Sequence, residues 1–205
     1  LTFMLMSEIT QNLHAKLWDI ANTLRGKMGA DEFRDYILGF IFYKYLSDKM
    51  STYADKVLSP DGLKYSDIKE GRDDAYLDAI RGEALDTLGY FLKPTELFSE
   101  LAKRGDSGGS ENFILDDLQK VLNSIEQSTM GTESEDDFGN LFEDLDLTSS
   151  KLGKSENDKN ALVVKVLAHL DKIDFRLEDT ETDLLGDAYE YLIGQFASGA
   201  GKKAG

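Results

Sequence analysis

Asp31-Glu32-Phe33-Arg34-Asp35-Tyr36-Ile37-Leu38-Gly39-Phe40-Ile41-Phe42-Tyr43-Lys44-Tyr45-Leu46 is the stretch on which the fold turns. Phe33, Tyr36, Ile37, Leu38, Phe40, Ile41, Phe42, Tyr43, Tyr45 and Leu46 cover every side of a helix. A helix that is apolar all round is buried at the centre of a domain. Asp31 is placed to cap its start. Its aromatic residues read as core packing. A base-stacking platform would need a surrounding basic groove, and none flanks them.

Amphipathic segments lie on both sides. Leu17, Ile20, Ala21, Leu24 and Met28 recur on one face of a helix over about 13–28, with Gly26 and Gly29 at its fraying end. From 51 to 74 the pattern loosens, and Pro60-Asp61-Gly62 signals a turn. A short helix follows over 75–88. Gly89-Tyr90-Phe91-Leu92 is a brief extended run and the candidate strand. Pro94 suits the first turn of another helix, with Leu97, Phe98 and Leu101 inward. The glycine-containing stretch 104–111 reads as a loop.

Leu115, Leu118, Val121, Leu122 and Ile125 share a face of the helix expected over 113–125. Residues 129–137 form an acidic turn region, 141–147 a short helix or turn, and 148–160 an exposed polar loop. Leu162, Val163, Val166, Leu167 and Leu170 mark the next helix. The last, over 183–197, buries Leu184, Leu185, Ala188, Tyr189, Leu192, Ile193 and Phe196. No internal repeat is present. The expected fold class is mainly α: an irregular multi-helix bundle with at most a short strand or hairpin. Residues 1–12 read as an N-terminal extension, 13–197 as one helical domain and 198–205 as a linker.

Composition narrows the chemistry. The 205 residues are 41% hydrophobic and 30% charged, an ordinary globular balance, with only 2 prolines. The absence of cysteine excludes disulfides, thiolate metal sites and cysteine nucleophiles. Two histidines, His14 and His169, exclude a histidine-only metal cage, and neither has a triad partner in view. With 23 basic and 39 acidic residues the net charge is −16, which opposes DNA binding by the chain alone. The opening run Leu1 to Met6 is too short to cross a bilayer and lacks a basic leader, and no other segment approaches eighteen apolar residues. The expectation is a soluble cytoplasmic protein with no membrane partner, whose natural start is Met6.

Several motifs come close and fail. Gly199, Gly201 and Ala204 have dinucleotide-fingerprint spacing, but they follow a helix instead of a strand. A Walker loop fails because Phe196 stands where its first glycine belongs and Lys203 where Ser or Thr must follow the lysine. Asp144, Asp146 and Thr148 resemble a calcium loop, but Ser149 replaces the required glycine. Asp179, Glu181 and Asp183 fail alike at Leu184. Both acidic sets read as solvated surface or helix caps, and no metal is expected.

Basic residues gather in two places: Arg25, Lys27, Arg34, Lys44 and Lys49 early, and Lys151, Lys154, Lys159, Lys165 and Lys172 late. They read either as solvated faces or as a local basic face that meets nucleic acid inside a larger complex. Arg34, Lys44, Lys202 and Lys203 are the candidate DNA or partner contacts.

Leu17-Trp18-Asp19-Ile20-Ala21-Asn22-Thr23-Leu24-Arg25-Gly26 followed by Phe33 through Asp48 strongly resembles the opening of the methylation (M) subunit of bacterial type I restriction-modification systems. Leu152-Gly153, and Leu185-Gly186-Asp187-Ala188-Tyr189-Glu190-Tyr191-Leu192-Ile193 with Phe196, Ala197 and Gly201-Lys202, are similar to the same family. The resemblance implies an N-terminal helical domain whose linker leads toward a methyltransferase domain beyond Gly205. The parent protein would use S-adenosylmethionine to methylate adenine N6 in DNA. Its partners would be a specificity subunit, a second M subunit and, optionally, restriction subunits. The Asn-Pro-Pro-(Phe/Tyr) motif of that family is absent, since the prolines are Pro60 and Pro94, so no catalytic or cofactor-binding residue carries over. Two other readings stand beside this one. A free-standing acidic helical adaptor is the first. The second is a DNA mimic, against which the interspersed basic residues count.

Overall fold

The computed structural model describes residues 2–108, 112–176 and 184–201. Among them are eight α-helices and no strand, so the chain is mainly α as expected. The helices are α1 (Thr2–Leu24), α2 (Ala30–Leu58), α3 (Asp74–Thr87), α4 (Phe98–Asp106), α5 (Leu115–Ser128), α6 (Glu135–Phe138), α7 (Glu156–Asp171) and α8 (Leu184–Gly201). They belong to two compact units: unit 1 joins Leu1–Phe42 to Leu145–Gly205, and unit 2 is Tyr43–Asp144.

In unit 1, α1 packs against α7 and α8. Its buried face is the expected one, Leu17, Ile20, Ala21 and Leu24. The helix nevertheless starts at Thr2, not near Leu13. Its first turns escape the periodicity because Phe3, Met4 and Leu5 are 89%, 77% and 56% exposed, leaving no apolar stripe to read. Gly26, at φ 82, ends the helix in the left-handed conformation that favours glycine. Asp31 lies inside the first turn of α2; the carboxylate of Glu32 instead accepts the Gly29 N–H at 3.0 Å and closes that helix start. From α7, Leu162, Val163, Val166, Leu167 and Leu170 are buried, and from α8 Leu184, Ala188 and Leu192. The α8 residues Leu185, Tyr189 and Phe196 lie outside the described side chains.

The polar stretch before α7 is shorter than its composition implied. Ser155 caps the helix, its hydroxyl accepting the Asp158 N–H at 3.1 Å, so helix begins at Glu156 within the expected loop. Gly153 lies tight against this turn. A Cβ there would sit 2.7 Å from both the Asp158 Cβ and the Lys159 backbone nitrogen. Backbone cannot yield as a flexible side chain can, so Gly153→Ala is expected to cost about 1–3 kcal/mol, read as a lowered midpoint in thermal unfolding.

In unit 2, α2 continues to Leu58, with Met50, Ala54 and Leu58 buried at four-residue intervals through the segment where the pattern loosened. Gly89 to Leu92 is not a strand. Tyr90, Phe91 and Leu92 are buried, but the Phe91 N–H is taken by the Ser128 hydroxyl at 3.1 Å, not by a neighbouring strand. Pro94 opens a 3-10 turn (Pro94–Glu96), and α4 starts only at Phe98, running into the expected loop as far as Asp106. The inward residues Leu97, Phe98 and Leu101 are as expected.

Candidate functional site

Arg34 and Lys44 lie ten residues apart on α2, and the structure treats them oppositely. Arg34 is exposed, with its guanidinium 3.7 Å from Asp31 and 3.9 Å from Asp35. Pairs that loose and solvated hold an arginine weakly, so it stays free to meet a partner. Lys44 is only 3% exposed. Its ammonium lies 2.8 Å from the Asp48 carboxylate and 5.4 Å from the centre of the Phe98 ring. That geometry makes it an internal ion pair of unit 2 with a cation–π contact, not a surface group. Lys202 and Lys203 lie outside the described residues.

The acidic near-motif at 144–148 is a turn. One carboxylate oxygen of Asp146 accepts both the Thr148 N–H at 2.9 Å and its hydroxyl at 2.6 Å. Those bonds, the hydroxyl first, hold the Asp146 carboxyl below the usual range. No group of three or more potential metal ligands gathers among the described residues. His14 stacks on the Tyr191 ring, 4.1 Å between centroids and 10° between planes, and serves packing of α1 on α8.

Unit 2 carries a cleft of about 270 Å³ floored by Leu77 and Phe91 and rimmed by Glu70, Asp78, Arg81 and Lys93. Its charges are largely turned on the protein itself. Lys93 pairs with Glu70 at 2.8 Å, and the Arg81 guanidinium sits 5.5 Å from the Phe91 ring centre. A methyl-donor nucleoside needs an apolar slot and a close backbone approach at a glycine turn. This charged rim does not fit it.

Three features of unit 1 were not singled out from sequence. Trp18 is 40% exposed, and Arg25 lies over its ring at 5.1 Å while donating to the Asn22 side chain at 3.1 Å and the Gln195 carbonyl at 3.3 Å. The seven-residue spacing of Trp18, on α1, and Arg25, just past its end, was the available signal. Lys16 reaches from α1 to the Lys172 carbonyl at 2.8 Å. Arg176, past the end of α7, has φ 50, the sole non-glycine residue with positive φ among those described.

No helix of the described residues is long and apolar enough to cross a membrane. The crystal structure of the type I restriction-modification system methyltransferase subunit from Streptococcus thermophilus matches 91% of this chain with a TM-score of 0.70 and 34% identity. The type I restriction enzyme MpnII methylase subunit of Mycoplasma pneumoniae is 29% identical over 205 residues, 97% of this chain. The chain spans 39% of the first protein and 37% of the second. The family model described as the HsdM N-terminal domain matches residues 13–170, from the first buried leucine of α1 to the last of α7. The chain therefore belongs to the HsdM N-terminal domain family.

Proposed function

We propose that this chain acts as the assembly domain of a DNA-modifying complex. In this reading it helps join its methylation subunit to a second copy and to a specificity subunit, with restriction subunits as optional partners. It helps close the complex around DNA in the cytoplasm. The parent protein transfers a methyl group from S-adenosylmethionine to adenine N6, with the base taken out of the stack for the reaction. The observation that carries this reading is the family match over 13–170, reinforced by the likeness to a methyltransferase subunit at 34% identity. Cofactor chemistry is assigned to the remainder of the parent protein, because the charged cleft of unit 2 does not suit the methyl donor.

The residues support an assembly role. Each unit has its own buried apolar residues, and Arg34 is exposed with only loose pairing. A net charge of −16 disfavours DNA binding by the domain alone. The test uses the full-length methylation subunit co-expressed with its specificity subunit. Co-purification and transfer of labelled methyl groups to adenine are expected. Arg34→Glu is expected to weaken assembly or DNA binding about tenfold, roughly 1.4 kcal/mol. Failure of the wild-type subunits to co-purify overturns the assembly reading. Tight, salt-sensitive DNA binding by the isolated domain overturns the assignment of its role as mainly protein–protein.

A further inference from the structure

Carboxylates without a partner are ordinary on a chain of net charge −16, and by themselves they mark nothing. Those of the unit 2 cleft differ in where they stand. The cleft, of about 270 Å³, has a buried apolar floor of Leu77 and Phe91. Around it Glu70, Asp74 and Asp78 bring three negative charges, and Arg81 and Lys93 two positive ones.

Both positive charges are already committed. Lys93 pairs with Glu70 at 2.8 Å. Arg81 follows Asp78 by three residues, the spacing of an ion pair on a helix surface. Its guanidinium lies instead over the Phe91 ring, 5.5 Å from the centre. Asp74 accepts the Gly71 N–H at 2.7 Å, a neutral donor. Asp74 and Asp78 thus stand one turn apart on α3, both exposed, with no cation paired to either among the described residues. Like charges at that spacing repel on a helix. The undescribed positions of unit 2, Gly109, Ser110 and Glu111, include no cation.

Size and chemistry together select an occupant. Pockets for small molecules have about 300–1,000 Å³, so this cleft suits a single side chain. A side chain that crosses an apolar floor to reach two carboxylates has an aliphatic stem and a cationic head. Arginine meets this better than lysine. Its planar fork bonds carboxylates in pairs, it sheds water more readily, and it is enriched among interface anchors. Arg81 does not take this place, being about 10 Å along α3 from Asp74 and laid on Phe91.

We propose that the Asp74–Asp78 end of the cleft is a socket for an arginine side chain of another subunit in the assembled complex. This rests on the functional reading above and assigns one of its protein–protein contacts to unit 2. The incoming guanidinium relieves the repulsion between the two aspartates, and its stem covers Leu77 and Phe91.

The experiment uses the full-length methylation subunit assembled with its specificity subunit. Asp78 is exposed, so Asp78→Asn and Asp78→Arg should leave the thermal midpoint of the free subunit unchanged. Asp78→Asn is expected to weaken assembly about tenfold and Asp78→Arg more, while Asp78→Glu stays near wild type. A photo-reactive benzophenone side chain at position 78 should link, in the purified complex, to a segment of another subunit that contains an arginine. Replacing that arginine by alanine should weaken the wild-type complex but add little to Asp78→Asn. Unchanged assembly of Asp78→Arg overturns the inference. So does a link within the same chain, a link to a segment without arginine, no link at all, or additive losses. If Asp78→Arg lowers the thermal midpoint, the link and the additivity test decide. Failure of the wild-type subunits to assemble removes the functional reading and this inference with it. Wild-type assembly with indifferent Asp78 variants removes the inference alone.

Discussion

Phe98→Ala is expected to destabilise unit 2 by about 3–5 kcal/mol, lowering the thermal midpoint by on the order of 10 °C. Phe98 is fully buried, and its ring meets Tyr43 at 5.1 Å and 59°, a tilted aromatic pair. The Lys44 ammonium lies 5.4 Å from the same ring. Truncation therefore removes apolar burial, an aromatic partner and the face that receives a buried cation. The Phe98 N–H, donated to the Ser47 hydroxyl at 2.7 Å, survives the substitution, so the loss belongs to the side chain. Phe98→Leu keeps much of the volume and should cost less than half as much. Denaturant unfolding of the three proteins checks the order. A loss below about 1 kcal/mol for alanine would mean that the site collapses around the gap.

Raising the pH above 10 is expected to unfold unit 2 steeply. Three of its tyrosines donate their hydroxyls to backbone carbonyls: Tyr43 to Glu96 at 2.5 Å, Tyr90 to Leu46 at 2.6 Å and Tyr65 to Leu92. Burial pushes all three phenols above their ordinary value of 10.0. The Glu96 carboxylate adds to this for Tyr43 and Tyr65, as do Tyr45 and Asp48 for Tyr90. A folded value above the unfolded one means that the stabilisation is complete below pH 10. It drains away as pH rises toward the folded value, because the unfolded chain ionises first. Each tyrosine that ionises only when unfolded removes about 1.4 kcal/mol per pH unit. Stability measured in urea between pH 9 and 12, alongside tyrosinate absorbance, should show ionisation and unfolding together. Tyr65→Phe should flatten the slope by one tyrosine's share. Free titration of all three phenols in the folded protein would refute the argument.

How much of this was legible beforehand depends on where apolar side chains recur. The faces of α1, α5 and α7 were readable because Leu17, Leu118 and Val166 belong to unbroken buried stripes. The start of α1 was not, because Phe3 to Leu5 are apolar yet exposed. The run at 89–92 has the composition of a strand, but Ser128, far away in sequence, supplies the partner that a strand would have supplied. At the candidate site, Arg34 and Lys44 look alike in a sequence, each a cation among aromatics. Only tertiary packing turns one outward and folds the other against Asp48 and Phe98. Lys172 was visible within a basic stretch, whereas the hydrogen bond from Lys16 to its carbonyl spans 156 positions and the left-handed backbone of Arg176 follows no residue preference.

Unit 2 is an uninterrupted run, but unit 1 is completed by residues that follow unit 2 in the chain. Lys172 emerges 156 residues after Lys16, which at cellular rates of synthesis is roughly 10–30 s later. Through that interval the face of α1 carrying Leu17, Ile20 and Leu24 has neither α7 nor α8 to cover it. Unit 2 meanwhile has all of its own residues and can close. The nascent chain thus holds a finished body behind an uncovered amphipathic helix, the kind of surface that holding chaperones bind. The domain's dependence on such help is set by its chain order, independently of how stable it becomes once complete.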